Sequence, residues 1–135
     1  MIFSLSEESD LDAASFIDVL NDSGLGARRP VNDVARIETM LRNADLIVTA
    51  RDDSQRLIGV SRCVTDFAYC CYCSDLAVRR DQQHQGVGQA LIAESRRLAG
   101  NQAAFILVAA PYAVAYYPKI GAQRIEHGFL WPRER

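Results

Sequence analysis

The chain is poor in the features that would send it to a membrane, a secretory route or a nucleic acid. No apolar run approaches the roughly 18 residues that a membrane-spanning helix needs. The first residues, Met1-Ile2-Phe3-Ser4-Leu5-Ser6-Glu7-Glu8, offer neither the basic nor the long apolar region of a secretory leader, so a cytoplasmic protein is expected. Fifteen Lys plus Arg against seventeen Asp plus Glu give a formal net charge of −2. That balance provides no global positive field, and neither nucleic acid nor an anionic membrane is expected as a partner. The cysteines Cys63, Cys70, Cys71 and Cys73 all fall within eleven positions. On an extended strand Cys70 faces away from Cys71 and Cys73, so they read as small apolar strand residues, with no metal site expected. The absence of a leader also argues against a disulfide framework.

What is present is a core. At 135 residues with 49% hydrophobic side chains, the sequence suits one domain spanning 1–135 and is too short for two ordinary ones. Met1 to Leu5 suggests a first strand. Ser9 or Asp10 can cap a helix through Leu20, and the turn residues Asn21 to Gly26 end it. Asn32 or Asp33 can cap a second helix through Leu41. Leu46–Arg51 and Leu57–Val64 read as a hairpin pair of strands joined by a polar turn, and Phe67 to Val78 as a long strand. A helix from Gly86 to about Gly100 follows, with Arg96 and Arg97 suited to its negative pole. The continuous apolar run Phe105 to Ala110 reads as a strand buried on both faces. Arg124 to Trp131 reads as a last strand, stopped by Pro132.

The stretch between Asp75 and Ile92 carries the most chemistry. A strand ending in Leu76-Ala77-Val78 runs into Gln83-His84-Gln85-Gly86-Val87-Gly88-Gln89 at a helix start. A helix N-terminus leaves backbone N–H groups unpaired at its positive pole, and glycine lets an anion approach that backbone closely. The loop is therefore a candidate cradle for a diphosphate. It is not a Walker A loop, because Gln89-Ala90 stands where Lys and Ser or Thr would have to hold phosphate and magnesium. A dinucleotide fingerprint wants a third small residue where Leu91 stands.

Gln83-x-x-Gly86-x-Gly88 after such a strand resembles the pyrophosphate-binding motif of the GNAT superfamily of N-acetyltransferases. Tyr116-Tyr117-Pro118-Lys119-Ile120-Gly121-Ala122 is similar to the family's Phe-Tyr-Glu-Lys-Leu-Gly-Phe, with Pro118 in place of Glu and Ala122 in place of Phe. The likeness covers about Leu46 to Gly121 and is closest to small single-domain bacterial members. It implies an α/β (α+β) fold of the acyl-CoA N-acyltransferase type. A mixed central sheet is flanked by helices in the order β-α-α-β-β-β-α-β-α-β.

The resemblance also implies a reaction: transfer of an acetyl group from acetyl-CoA, as co-substrate, to a primary amine of a small molecule or a protein by direct attack. The pantetheine arm would lie along Leu76, Ala77 and Val78, and the diphosphate on Gln83, His84, Gln85, Gly86, Val87, Gly88 and Gln89. Tyr117, rather than Tyr116, aligns with the family's proton donor to the leaving thiolate, the alternative being that both pack in the core. Asp75 is the candidate base, the alternative being that it anchors neighbouring backbone or arginines. Glu38 and His127 remain open for that role. Arg79 and Arg80 form either a charged rim or a screen for the 3′-phosphate of CoA. A noncatalytic CoA-binding sensor and a GNAT-type toxin are alternative functions, and a homodimer is left open.

Overall fold

The computed structural model describes residues 2–135. Five strands form one sheet in the order β1-β2-β3-β4-β5, namely Phe3–Glu7, Leu46–Asp52, Leu57–Thr65, Cys70–Val78 and Ala104–Leu107. The first four pair antiparallel and β5 pairs parallel to β4. Helices α1 (Ala13–Ser23) and α2 (Val34–Arg42) precede β2, helix α3 (Val87–Ala99) joins β4 to β5, and the short α4 spans Tyr116–Lys119. The family-type order thus forms as far as α4.

Local chemistry accounts for the helix starts. The side chain of Asp12 accepts from Ser15 N–H at the start of α1, and that of Asp33 from Arg36 N–H at the start of α2, each satisfying an amide that has no intrahelical partner. The first cap is Asp12, two residues beyond the expected Asp10. The two faces of the sheet carry different cores. Phe16, Val19, Leu20, Ile37 and Leu41 of α1 and α2 pack on Ile47, Val60 and Ala77. Val87 and Leu91 of α3 pack on Val48, Ala50 and Ile58 of the opposite face. Cys63, Cys71 and Cys73 join Leu46 and Ala99 in a third buried cluster, whereas Cys70 is exposed. Burial pushes the Cys71 thiol up to about 12, so it behaves as a small apolar side chain. Among the described residues no helix is long and apolar enough to cross a membrane, and no group of three or more His, Cys, Asp or Glu is placed to hold a metal ion.

Three expectations change. The long strand begins at Cys70 rather than Phe67, because Asp66 accepts from the N–H groups of Ala68, Tyr69 and Cys70 and winds that segment into a turn. β5 is an edge strand with alternating exposure, not a strand buried on both faces. The last strand does not form. Residues 122–135 make no ladder, an open groove separates β5 from residues 121–127, and the chain end is drawn to α2, where Arg36 Nη2 donates to the Arg135 carbonyl at 3.0 Å. With only four residues, β5 offers a short template for another strand.

Two measurements check this packing. A Cβ added to Gly59 would lie 2.9 Å from Leu91 Cδ1, 3.1 Å from Val87 Cγ1 and 3.3 Å from the Ala77 carbonyl oxygen. α3 can sit this close to β3 only because no side chain intervenes. Gly59→Ala is expected to cost about 1–3 kcal/mol of overpacking, read as a lowered urea midpoint; an unchanged midpoint would contradict the packing. The three amides hold the Asp66 carboxyl down to about 2, below its unfolded value of roughly 3.9. Its contribution to stability is therefore complete above the unfolded value and lost as pH falls towards 2. A carboxyl NMR titration should place Asp66 near 2, and the difference in Tm between wild type and Asp66→Ala should shrink over that interval. An ordinary midpoint would contradict the assigned turn.

Candidate active site

The opening beside β4 is produced by one extra residue. The register runs Arg62↔Asp75 and then Cys63↔Cys73, so Ser74 is a bulge. It shifts the phase of side-chain alternation. Cys71 and Cys73 point to the α3 face, whereas Asp75 and Ala77 point to the face covered by α1 and α2. The β4·β5 ladder ends at the same place, its last pair being Cys73↔Leu107. From Ser74 to Val78 the side of β4 that β5 would cover is therefore free. Arg79 N–H bonds the Ile58 carbonyl of β3. Alternation then turns the N–H and C=O of Val78 and Leu76 to the free side.

The glycine loop stands at the wide end of this opening. Gln83 Nε2 donates to the Val78 carbonyl at 2.9 Å, tying loop to strand. His84 and Gly86 both adopt left-handed backbone, with φ of 65° and 87°, a conformation that suits glycine and is uncommon for histidine. His84, Gln85 and Gln89 are exposed, while Val87 is buried against the sheet. Gly86 is the N-cap of α3, and no side chain caps that helix, in contrast to Asp12 and Asp33 on α1 and α2. A Cβ at Gly86 would meet nothing within 4 Å, whereas one at Gly88 would lie 3.1 Å from the Tyr116 hydroxyl. The loop presents uncapped backbone donors with open space at Gly86, a chemistry that suits a diphosphate.

The two tyrosines of α4 have different surroundings. Their rings meet edge to face with centroids 5.2 Å apart. Tyr116 puts its hydroxyl beside Gly88 and Val78 at the wide end. Tyr117 is half-buried and lines the groove of about 790 Å³ that also touches Ile92, Phe105 and Leu107. Burial above all pushes its phenol up to about 12. Tyr117 therefore stays protonated through the neutral range.

Asp75 has a different environment from that of a free base. It is 1% exposed. One oxygen accepts from Arg29 Nε and the other from Arg62 Nε. The same arginines hold the neighbouring bulge: Arg29 Nη2 donates to the Ser74 carbonyl at 2.7 Å and Arg62 Nη2 to Ser74 Oγ at 2.9 Å. Both oxygens are engaged, which is the environment of an anchoring group rather than of a free base. Arg79 pairs with Asp18, and Arg80 Nε and N–H bond the backbone and carboxylate of Asp22, which makes both a braced rim. The roles of Arg29, Arg62 and Ser74 were missed from sequence. The available signal was a pair of opposite charges, Arg62 and Asp75, each inside an otherwise apolar strand.

Comparisons with known proteins agree with this arrangement. A family model described as the acetyltransferase (GNAT) domain matches residues 43–121. No curated protein matches the sequence. Among solved structures, a GNAT-family acetyltransferase from Streptococcus pneumoniae TIGR4 is similar over 99% of this chain and 100% of its own, with 18% identity and a TM-score of 0.77. A protein from meticillin-resistant Staphylococcus aureus described as a probable acetyltransferase reaches a TM-score of 0.80 at 21% identity, covering 98% and 99%. An aminoglycoside acetyltransferase from an uncultured soil metagenomic sample, in complex with sisomicin, has a TM-score of 0.70 at 17% identity, covering 97% of each chain. These identities speak for the fold alone. The family match, spanning more than half the chain, places this protein in the GNAT acetyltransferase family.

Proposed function

We propose that the chain is an N-acetyltransferase that moves the acetyl group of acetyl-CoA to a primary amine by direct attack. The observation that carries this reading is the combination of an uncapped α3 N-terminus with a β4 edge freed by the Ser74 bulge. Bound acetyl-CoA would supply the acyl group activated as a thioester. The amides at the start of α3 would hold its diphosphate, each such charge contact being worth roughly 0.3–1 kcal/mol. Leu76 would offer its free N–H and C=O, and Val78 its N–H, to the pantetheine amides. These donors are fixed by folding before any ligand arrives, so little further ordering is needed on binding.

Tyr117 is the proposed partner of the leaving sulfur. As the nitrogen–carbon bond forms and the carbon–sulfur bond breaks, the electron pair stays on sulfur. A phenol raised to about 12 holds its proton more tightly than a thiol of roughly 8.5. Tyr117 thus stabilises the thiolate mainly by donating a hydrogen bond. With Asp75 held by arginines, the amine proton leaves to water at the open mouth. The aminoglycoside acetyltransferase with its bound sisomicin supports small-molecule amines as one acceptor class.

Thiol release from acetyl-CoA across a panel of amines tests the activity, and two variants test the role of Tyr117. Tyr117→Phe keeps the ring and is expected to lower turnover by about a hundredfold or more, in the range of a lost positioned donor, with CoA affinity little changed. Tyr116→Phe should slow the chemical step far less. Small, equal effects of both on a turned-over amine would reduce Tyr117 to packing. Tight CoA binding without release on any amine would favour a sensor.

A further inference from the structure

The charges around the Ser74 bulge do not balance. Two guanidiniums, Arg29 and Arg62, share the single carboxylate of Asp75, whose side chain is fully buried. The nearby acids of α1 are engaged elsewhere, Asp18 with the Arg79 guanidinium and Asp22 with the backbone N–H of Arg80. Asp33 caps α2. Arg28, next in the chain, is exposed and makes no ion pair among the described residues. A chain with a net charge of −2 therefore concentrates positive charge at one spot.

That spot is at the acyl end of the site. Under the acetyltransferase reading, a thioester whose diphosphate lies at Gly86 and whose arm follows Val78 and Leu76 ends beside Ser74. Arg29 donates to the Ser74 carbonyl itself. Its guanidinium has five N–H groups. Three donor contacts, to Asp75, Ser74 and the Arg28 carbonyl, leave others free, and the side chain is 22% exposed. Arg62 is almost wholly buried and holds Ser74 Oγ and the Met40 carbonyl, so Arg29 is the member of the pair that can reach a ligand. A planar guanidinium with spare donors in partly dry surroundings suits a carboxylate.

We propose that the acceptor is an amine that also carries a carboxylate, as an amino acid does, and that Arg29, assisted by the field of Arg28, is the residue that selects it. The inference rests on the acetyltransferase reading. It sets this chain apart from an enzyme for polycationic amines, since a polycation would bring further positive charge against Arg28 and Arg29.

The test compares matched acceptors: amino acids, their primary carboxamides, and an aminoglycoside, each with acetyl-CoA and thiol release as readout. The amine of the amide is the less basic and so the more deprotonated near neutrality, which means that a preference for the acid cannot come from amine reactivity. The expected result is a kcat/KM at least tenfold higher for the acids than for the amides, falling as salt screens the charges. Arg28→Gln should reduce that ratio severalfold, and Arg29→Lys should reduce it further. Equal rates on acid and amide, or a preference for the aminoglycoside, would overturn the proposal while leaving the acetyltransferase reading intact. Thiol release with none of the amines would overturn both.

Discussion

The structure turns on a buried carboxylate shared by two guanidiniums. Asp75 lies on β4, Arg62 on β3 and Arg29 on the loop after α1. Their bonds also engage both the carbonyl and the hydroxyl of Ser74. Burying this many charges is favourable only if each is answered, and removing one partner of such a set typically costs about 3–5 kcal/mol. The network therefore fixes the bulge, and the bulge in turn fixes the site. One added residue redirects the side chains of β4 and ends its pairing with β5 at Cys73. Without it β4 would continue along β5, and the backbone groups of Leu76 and Val78 would be used up within the sheet.

Much of this was legible in the sequence, and the boundary has physical causes. The strand, glycine turn and helix start around Gly86 were legible because a strand end, two glycines and an apolar helix face leave few other geometries. The tyrosine pair was legible by likeness, and the helix starts were legible within a few residues because capping is local. The bulge was not legible. Alternation along Cys71, Cys73, Asp75 and Ala77 reads as one continuous face, and only cross-strand pairing shows the change of phase at Ser74. Arg29 lies 46 positions from its partner Asp75, a separation that no local pattern encodes. The tail failed for a related reason. Arg124 to Trp131 has the composition of a strand, yet a strand needs an edge to pair with, and here residues 121–127 border a groove beside β5 instead, with Phe129, Leu130 and Trp131 left exposed.

The site combines rigid and permissive parts. Val87 and Leu91 anchor α3 in the core, while the loop before it depends on left-handed backbone at His84 and Gly86. Gly86 is open on the side where a substituent would project, so it is the left-handed backbone, and not packing, that favours glycine there. Gly59 is the contrast, a glycine demanded by the packing of α3 on β3. The two glycines show how one residue type can be required for backbone conformation in one place and for packing in another.

In the proposed function the α3 N-terminus and the free edge of β4 form one continuous cofactor site. Amide NMR titration with CoA tests it most directly, on wild type and on Gly86→Ala, whose added Cβ meets no protein atom within 4 Å. The left-handed φ adds a cost of about 1–2 kcal/mol for a residue other than glycine, so the stability of the variant is followed alongside. The account predicts saturable shifts at Leu76, Val78, Gly86, Val87 and Gly88 in wild type and at least tenfold weaker binding by the folded variant. Absence of saturable binding, shifts confined to other parts of the sheet, or an affinity unaltered by Gly86→Ala would contradict it.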